Sequence, residues 1–235
     1  MVVLHVPDSI SIQSHRGIYE ACFTPDLLND PSALLEGEPH FIIDSNIAHL
    51  YSKQLHSVLS HPNVILVDAT EQNKSLESAS RIITTLVAQK TRRNHHLVAI
   101  GGGIIQDLVC FIASTLLRGV SWQLVPTTLL AQADSCIGSK SSINVGDAKN
   151  IVGTFYPPTK IFIDQNFLKT LHQNEIHSGI GEILKVHAID SAESFNRVAS
   201  SLDAITNDLD ALQPFIRSAL SIKKRYIEVD EFDEG

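Results

Sequence analysis

The segment VAIGGGIIQD, which spans Val98–Asp107, decides the fold class of this chain. An apolar run of strand length enters three consecutive glycines, and a helix is predicted to begin near Ile104. Glycines at such a turn let a ligand approach the backbone, and the free N–H groups at the start of the helix favour an anion such as phosphate. The spacing is not the GxGxxG pattern of ordinary dinucleotide-binding turns. Two interpretations stay open: a phosphate-binding turn, or a tight turn whose backbone needs positive φ.

Other apolar runs of strand length lie on both sides of this segment, with stretches of helical length such as 46–60 and 75–89 between them. Strands without strict alternation, separated by helices, indicate a mostly parallel sheet covered on both faces. The sequence therefore predicts a Rossmann-like α/β domain over residues 1–171. The strand-like runs are HFIID (40–44), NVILVDA (63–69), HLVAI (96–100), WQLVP (122–126) and KIFID (160–164).

The pattern changes near residue 172, where strand-like runs stop and helical periodicity begins. Helices are predicted at 175–190, 195–211 and 213–228. These helices indicate the start of an all-helical domain over 172–235, which is expected to be incomplete because the chain ends on the charged run EVDEFDEG.

Composition excludes several classes of protein. With 235 residues, 43% of them hydrophobic, the chain can bury a large core. The three cysteines, Cys22, Cys110 and Cys136, are far apart and show no CxxC pairing, so we expect neither a disulfide framework nor a zinc ribbon, and a reducing cytoplasm. No leader-like N-terminus and no apolar run of about 18 residues is present, which argues against secretion and a membrane location. A net charge of −8 argues against nucleic acid.

Charged residues at the ends of two predicted strands have two interpretations each. Asp44 ends the run FIID and is predicted either to hold a ribose hydroxyl or to cap the helix that follows. Glu71 and Lys74, in DATEQNKSLE, are candidate ligand-binding residues or an i,i+3 pair at a capped helix start.

The segment 126–150 carries charges and amides among small residues directly after an apolar strand. Polar groups at the carboxyl end of a parallel strand lie where α/β sheets bind ligands. A ligand site is therefore favoured over a solvated loop. Its candidate residues are Thr127, Thr128, Asp134, Lys140, Lys149 and Asn150.

A further pair lies in HSGIGEILKVHAI, residues 177–189. Glu182 and Lys185 share one face of the predicted helix, among apolar neighbours that indicate partial burial. The pair is either a simple salt bridge or part of a site. The GIG just before it lowers helix propensity, with no structural reason visible in the sequence.

Taken in order, these motifs resemble the dehydroquinate synthase branch of the sugar phosphate cyclases. That family shows GExxKSL, GGGxxxD, RGxxxxxxPTTLLAQxDS, GGKTxxN, KNxxGxF and a helix with ExxK. This sequence offers TEQNKSL (70–76), GGGIIQD (101–107), RGVSWQLVPTTLLAQADS (118–135), GSKSSIN (138–144), KNIVGTF (149–155) and GEILK (181–185).

The resemblance implies a site for each motif. It places NAD on Asp44, Glu71, Lys74, Gly102, Gly103, Asp107, Thr127 and Thr128, and a sugar phosphate substrate on Asp134, Lys140, Lys149, Asn150, Lys185 and Lys223, with Lys140 and Lys149 also close to the cofactor. It makes Glu182 one of three ligands of a catalytic Zn²⁺ or Co²⁺. It assigns Arg118 to the substrate phosphate of a neighbouring subunit, so a homodimer is expected.

The function that the resemblance implies is 3-dehydroquinate synthesis: conversion of 3-deoxy-arabino-heptulosonate 7-phosphate to 3-dehydroquinate in the shikimate pathway, with phosphate elimination. An alcohol is oxidised by NAD, phosphate leaves, the hydride returns, the ring opens, and an intramolecular aldol step closes a carbocycle. NAD is thus regenerated in each cycle.

Departures from the family pattern keep other functions open. Gln106 and Ser139 replace family glycines, no histidine follows Asn144, and the segment with two zinc-ligand histidines is not found before Gly235. The chain is therefore expected to be a fragment that is inactive alone. Alternatives are a cyclase of the 2-epi-5-epi-valiolone or 2-deoxy-scyllo-inosose synthase type, an iron- or zinc-dependent alcohol or glycerol dehydrogenase, and a non-catalytic binding protein.

Overall fold

The computed structural model describes residues 8–235. The expectation that no leader is present rests partly on residues 1–7, which lie outside the described residues. The strands are β1 (Ser9–Ser14), β2 (Gly17–Phe23), β3 (Pro39–Asp44), β4 (Val64–Val67), β5 (His96–Gly101), β6 (Ser121–Pro126), β7 (Lys140–Val145), β8 (Ala148–Phe155) and β9 (Lys160–Ile163). The helices are α1 (Ser45–Leu50), α2 (His56–Leu59), α3 (Leu76–Ala88), α4 (Gly103–Thr115), α5 (Gln173–Asp190), α6 (Ala192–Ala199), α7 (Leu202–Asn207) and α8 (Gln213–Ile227).

Seven strands form one twisted sheet in the order β1-β2-β9-β6-β5-β3-β4. All neighbours are parallel except β1 and β2, which form an antiparallel hairpin at one edge. The predicted mostly parallel α/β sheet is therefore confirmed. The chain leaves β3 toward β4 on one side and leaves β5 toward β6 on the other, so the strand order reverses between β3 and β5. In open α/β sheets, ligands bind outside the carboxyl ends of the strands at such a point.

The central strands of the sheet are buried on both faces, as the apolar runs predict, whereas the edge strand β4 exposes Leu66. In β3, Phe41 and Ile43 point into the core cluster that also contains Leu34 and Val58, whereas Ile42 points into the opposite cluster. The cluster that contains Ile42 is the larger of the two, and it continues through α3 and α4 into the helices after residue 172. Successive side chains of a strand thus anchor different helical layers.

The five predicted strands are confirmed, but the sequence pattern missed two hairpins. In β1 and β2 only Ile12 and a few partners are buried, so the apolar run is too short to be recognised. The strands of the β7–β8 hairpin, KSSINV and AKNIVGTF, mix Ser, Asn and Lys with apolar residues and contain no continuous apolar run of strand length. It closes tightly at Gly153, where any Cβ would overlap the carbonyl oxygen of Ser141.

The single helix predicted over 195–211 is wrong. The structure ends α6 at Ala199, begins α7 at Leu202 and adds a 3₁₀ turn at Leu209–Leu212. Two serine hydroxyls explain the first break, because Ser200 Oγ and Ser201 Oγ donate to the carbonyl oxygen of Arg197 at 3.1 and 3.0 Å. The carboxylate of Asp208 then caps the 3₁₀ turn by accepting from Asp210 N at 2.9 Å. Polar side chains thus replace the main-chain partners that would continue the helix.

Cys22, Cys110 and Cys136 are buried free thiols, in agreement with the expectation that they form no disulfide framework. Burial raises the pKa of Cys110 to about 11 and that of Cys136 to about 12, which leaves both thiols protonated at neutral pH. Within residues 8–235, the structure has no helix with the length and apolar character that crossing a bilayer requires.

The domain boundary at residue 172 stays a prediction. The last strand of the sheet, β9, precedes it, and only helices follow. Side chains from both sides nevertheless share the larger core cluster, with Leu129 before the boundary and Ile176 and Ile180 after it.

Of the two glycines in the α5 sequence SGIG, the structure explains the first, Gly179, by close packing. A Cβ at this position would lie 2.5 Å from Leu129 Cβ, so α5 approaches the segment after β6 more closely than any other residue permits. A Cβ at Gly181 would meet no atom within 4 Å, so this second glycine carries no such constraint. Close packing of α5 against Leu129 therefore offsets the helix propensity that is lost at Gly179.

We expect Gly179→Ala to destabilise the chain by about 1–3 kcal/mol, because an overpacked methyl group must displace Leu129. Gly181→Ala is the matched control on the same helix, and we expect it to stabilise by up to about 1 kcal/mol through helix propensity alone. Urea unfolding followed by circular dichroism measures both. Equal effects of the two substitutions would show that the close approach at Gly179 does not constrain the fold.

Candidate active site at the carboxyl ends of the parallel strands

A cleft of about 650 Å³ opens at the carboxyl ends of β5 and β6, beside the point where the strand order reverses. The 71–74 segment forms one wall, the start of α4 forms the floor, and the N-terminal turn of α5 forms the other wall. The cleft is lined by Glu71, Lys74, Gly103, Ile104, Gln106, Asp107, Thr128, Leu130, Ser135, Asn174, Glu175 and Ser178. Five of these are predicted cofactor-binding residues: Glu71, Lys74, Gly103, Asp107 and Thr128.

Two of the three glycines of the turn, Gly101 and Gly102, are required by space and not by backbone conformation. None of them has a positive φ, so the interpretation as a turn that needs left-handed glycine is wrong. A Cβ at Gly101 would lie 2.5 Å from Ile105 Cγ1, and one at Gly102 would lie 2.9 Å from Thr128 Cγ2. A Cβ at Gly103 would meet nothing within 4 Å and would stand in the cleft. No side chain caps α4 at Gly102, which leaves its first N–H groups for a ligand.

Lys74 lies at the centre of the cleft wall, and only 9% of its surface is exposed. Its ammonium donates to Asn150 Oδ1 at 2.7 Å and to Asp107 Oδ2 at 3.2 Å. The i,i+3 partner offered by the sequence, Glu71, does not form a salt bridge with it. Burial raises the pKa of Asp107, and the ammonium of Lys74 opposes that rise. Residues from α4 and from β8 thus neutralise and hold one buried cation.

Glu71 bonds instead to Asn144 of β7, whose Nδ2 donates to Glu71 Oε1 at 2.9 Å. This hydrogen bond is the main reason that the pKa of Glu71 is lowered, and the positive charges of Lys74 and Lys149 lower it further. Lys149 itself is exposed on β8.

Asp44 caps α1, as one of its two interpretations predicted. Its Oδ1 accepts from Asn46 N at 2.9 Å. Burial raises the pKa of Asp44, and the nearby carboxylates of Asp68 and Glu175 raise it further. Because Glu175 lines the cleft, Asp44 lies close to its rim. Capping uses one carboxylate oxygen and leaves the ribose interpretation open.

A smaller pocket of about 310 Å³ adjoins the cleft and contains two of the predicted substrate lysines. Lys223 Nζ lies 2.8 Å from Asp134 Oδ1 and donates to the carbonyl oxygen of Asp134 at 2.7 Å. Lys140 Nζ lies 2.7 Å from Asp233 Oδ2 at the exposed side of the pocket. Each lysine is thus paired with an aspartate, and Asp107, Asp230 and Glu231 also line this pocket.

Glu182 and Lys185 form the i,i+3 ion pair that the sequence allowed, on α5. The pair raises the pKa of Lys185, and the charge of Asp134 contributes to the rise. Apart from this pairing, the buried Oε1 of Glu182 has no hydrogen-bond partner. Over residues 8–235, no group of three His, Cys, Asp or Glu side chains is placed to hold a metal ion. Glu182 can supply one ligand at most.

Thr127 and Arg118 do not line the cleft. Thr127 is buried, with 1% of its surface exposed, and its main-chain N–H donates to the carbonyl oxygen of Gly101 at 3.1 Å. Arg118 is exposed, has a φ of 65°, and follows the far end of α4. The helix α4 starts at the cleft and rises about 1.5 Å per residue, so Arg118 lies near the end of the sheet where the parallel strands begin. From there its side chain cannot reach the cleft of the same chain.

Sequence reasoning assigned no role to Gln106, Ser135 or Asn144. Gln106 is buried between the cleft and the smaller pocket and lines both. Its Nε2 donates to the carbonyl oxygen of Ser135 at 2.5 Å, and Ser135 Oγ donates to Gln106 Oε1 at 3.0 Å. Gln106 stands where the family has glycine, so that departure was the one available signal. No signal in the sequence indicated that Asn144 contacts Glu71.

Comparison with known proteins gives consistent matches. Residues 64–178 match the family model described as 3-dehydroquinate synthase N-terminal. The chain is 40% identical to 3-dehydroquinate synthase of Enterococcus faecalis over 201 residues, which cover 83% of this chain and 55% of that protein. It is 36% identical to the enzyme of the same name from Clostridium acetobutylicum over 234 residues, 97% of this chain and 64% of that protein. The chain thus spans a little over half the length of these relatives.

Among solved structures, the fold is similar to that of ValA, the 2-epi-5-epi-valiolone synthase of Streptomyces hygroscopicus subsp. jinggangensis, whose structure contains NAD⁺ and Zn²⁺. The TM-score is 0.84 at 27% sequence identity. The match covers 92% of this chain and 63% of that one.

We expect Lys74→Met to destabilise the chain by about 2–4 kcal/mol near neutral pH, because it leaves the carboxylate of Asp107 buried without a cation. The pKa of Asp107 is already raised in the folded state, and loss of the ammonium raises it further. The folded state then binds more protons than the unfolded state, so the deficit shrinks as pH falls through the folded pKa. Urea unfolding at about pH 7.5 and about pH 5 measures this change.

The control is Lys74→Met combined with Asp107→Asn, which removes the titrating group and should show a pH-independent deficit. If the single substitution shows the same deficit at both pH values, the ion pair does not determine the ionisation of Asp107.

Proposed function

The chain belongs to the 3-dehydroquinate synthase and sugar phosphate cyclase family, and on that premise we propose that it supplies the cofactor cleft and substrate-binding residues of a 3-dehydroquinate synthase-type cyclase. Its substrate would be 3-deoxy-arabino-heptulosonate 7-phosphate and its product 3-dehydroquinate, with loss of phosphate, in the shikimate pathway. The observation that carries this proposal is the convergence of Lys74, Asp107 and Asn150 beside the glycine turn, at the point where the strand order reverses.

The cleft suits NAD in shape and in chemistry. Its volume of about 650 Å³ is within the range of cofactor sites. The open space over Gly103 and the uncapped start of α4 suit a pyrophosphate. Asp44, near the rim, would accept a hydrogen bond from a ribose hydroxyl. Bound NAD would take a hydride from a secondary alcohol of the substrate and return it later, as the family resemblance implies.

The substrate is proposed to enter from the smaller pocket. Lys140, Lys185 and Lys223 would exchange their present partners, Asp233, Glu182 and Asp134, for a phosphate and a carboxylate of the substrate, and Asp134 and Asn150 would then bind hydroxyl groups. We favour the keto acid over a sugar phosphate without a carboxylate, because its carboxylate would give Lys140 a charge-assisted hydrogen bond. A cyclase of the 2-epi-5-epi-valiolone or 2-deoxy-scyllo-inosose type remains the alternative, since Gln106 and Ser139 alter this pocket.

A homodimer is part of the proposal, because Arg118 can reach a substrate phosphate only in the cleft of a second subunit. The buried free thiols fit a reducing compartment such as the cytoplasm.

The metal is supported less fully by this chain. Glu182 has a buried carboxylate oxygen that suits Zn²⁺ or Co²⁺, but catalytic zinc sites use three protein ligands, and residues 8–235 contain no such group. We therefore derive no step through a metal from these residues. The roles that they support are binding, orientation and charge neutralisation.

We predict that the chain binds NAD and that Gly103→Val abolishes this binding. A valine there would stand in the cleft without touching protein atoms, because a Cβ at Gly103 meets nothing within 4 Å. Gly102→Val is a weaker test, since its Cβ would first meet Thr128. Titration calorimetry of the 235-residue chain with NAD gives the dissociation constant.

The control is Gly181→Ala, which should keep the affinity of the unmodified chain. Absence of NAD binding at millimolar cofactor to a folded chain would sink the assignment of the cleft. Unchanged NAD affinity in Gly103→Val would show that the pyrophosphate does not bind at the glycine turn.

We also predict that the 235-residue chain supplied with NAD and Zn²⁺ releases no phosphate from substrate. The reason is that Glu182 alone cannot hold the ion. Assays with the seven-carbon keto acid phosphate, sedoheptulose 7-phosphate and glucose 6-phosphate would be run beside the Enterococcus faecalis enzyme as positive control. Phosphate release from any of them contradicts this prediction, and the preferred substrate then decides between the cyclases. Accumulation of NADH with an alcohol would instead indicate a dehydrogenase.

A further inference from the structure

Asn144 connects three residues of the candidate site, although it lines neither pocket. It lies on β7, and 6% of its surface is exposed. Its Nδ2 donates to Glu71 Oε1 at 2.9 Å and to the carbonyl oxygen of Glu71 at 3.2 Å. Its Oδ1 accepts from Asn150 N at 2.9 Å, and its main-chain N–H donates to the carbonyl oxygen of Lys74 at 2.8 Å.

These bonds use both amide protons and the carbonyl oxygen of the side chain. A primary amide has two donors and one acceptor oxygen, so Asn144 retains no donor for a ligand. Its burial also keeps it from the cleft. The side chain therefore acts on other residues, and a catalytic role is excluded by this geometry.

The bond to Asn150 fixes an unusual backbone conformation. Asn150 has a φ of 56°, in the left-handed region that asparagine tolerates better than most residues. In this conformation Asn150 Oδ1 accepts from Lys74 Nζ at 2.7 Å and from Ser142 Oγ at 3.0 Å. The cation of Lys74 thus depends on a conformation that Asn144 holds.

The hydrogen bonds from Asn144 to Glu71 determine where the carboxylate of Glu71 lies. They direct the carboxylate of Glu71 toward Asn144, so Lys74 is left to Asp107 and Asn150. Asn144 thereby determines which acidic group pairs with the buried lysine. Besides Lys74, the positive charge of Lys149 on β8 also lowers the pKa of Glu71.

We propose that Asn144 is a positioning residue that couples the NAD-binding wall, Glu71 and Lys74, to Asn150 on the substrate side. This inference rests on the proposed function for the identity of the ligands, whereas the network itself stands on the contacts. If it is correct, loss of the Asn144 amide weakens NAD binding without removing any atom that touches NAD.

Asn144→Asp tests the proposal, because it keeps the shape of the side chain and replaces the two donors by a carboxylate facing Glu71. Near neutral pH we expect NAD affinity to fall about tenfold, as two buried donors are lost and two carboxylates repel. Close carboxylates share a proton on acidification, so the affinity relative to the unmodified chain should recover toward about pH 5. Asn144→Ala should show the loss without the recovery.

Asn73→Asp is the matched control. Asn73 lies in the same segment, and its Nδ2 donates to the carbonyl oxygen of Asp68 at 2.9 Å, so the substitution loses a donor and adds a charge without touching the network. We expect its affinity ratio to stay constant with pH. If Asn144→Asp behaves like Asn73→Asp, or does not recover in acid, the coupling role is refuted.

Urea unfolding over the same pH range separates this inference from the proposed function. If the unmodified chain binds no NAD, the proposed function fails, while an acid-recovered stability deficit in Asn144→Asp still supports the network and its absence refutes it. If Asn144→Asp does not fold near neutral pH, Asn144→Ser, which keeps one donor, should fall between the unmodified chain and Asn144→Ala in stability and affinity. Equal values for the serine and alanine variants would overturn the proposal.

Discussion

The buried ammonium of Lys74 is the constraint on which the site depends. A lysine with 9% of its surface exposed is costly unless its charge is compensated, and here the compensation comes from α4 through Asp107 and from β8 through Asn150. These groups are 33 and 76 residues distant from Lys74 in the sequence. The same interaction therefore fixes the hairpin, the helix and the 71–74 segment in one arrangement. Burial raises the pKa of Asp107, and the ammonium of Lys74 opposes that rise.

The sequence predicts the sheet because parallel strands buried on both faces must be apolar along their whole length. All five such runs, from HFIID to KIFID, are strands in the structure. The β7–β8 hairpin escapes this reasoning, since β7 packs on α4 while β8 is mostly exposed, with polar and apolar residues mixed along it. Its position depends on contacts such as Gly153 against Ser141, which no local pattern records. The break at Ser200–Ser201 was missed for a similar reason, because a serine hydroxyl ends a helix only where it turns back to a carbonyl.

The candidate site follows the same division. Residues at strand ends and at the glycine turn were predictable, because the carboxyl ends of parallel strands meet at one edge of the sheet. The pairings between side chains were not predictable. The sequence offered Glu71 as the partner of Lys74, whereas the structure gives Glu71 to Asn144 and Lys74 to Asp107. Choosing between these requires the register of β7 against the 71–75 segment, which is a tertiary property seen in the bridge between Ser75 and Asn144.

The segment Ala131–Ser135 joins the two pockets mechanically. It forms a π-helical turn, a conformation that is rare and often located at functional sites. Ser135 bonds to Gln106 of α4, Asp134 pairs with Lys223 of α8, and the adjoining Leu129 packs on Gly179 of α5. Three helices thus converge on one turn, and each contact has a different physical basis. Gln106 and Ser135 form hydrogen bonds, Asp134 and Lys223 form an ion pair, and Leu129 packs against the backbone of Gly179. Because Gln106 also lines both pockets, any displacement of this turn changes the cleft and the lysine pocket together. The arrangement ties the geometry of the proposed NAD site to that of the proposed substrate site through a single turn.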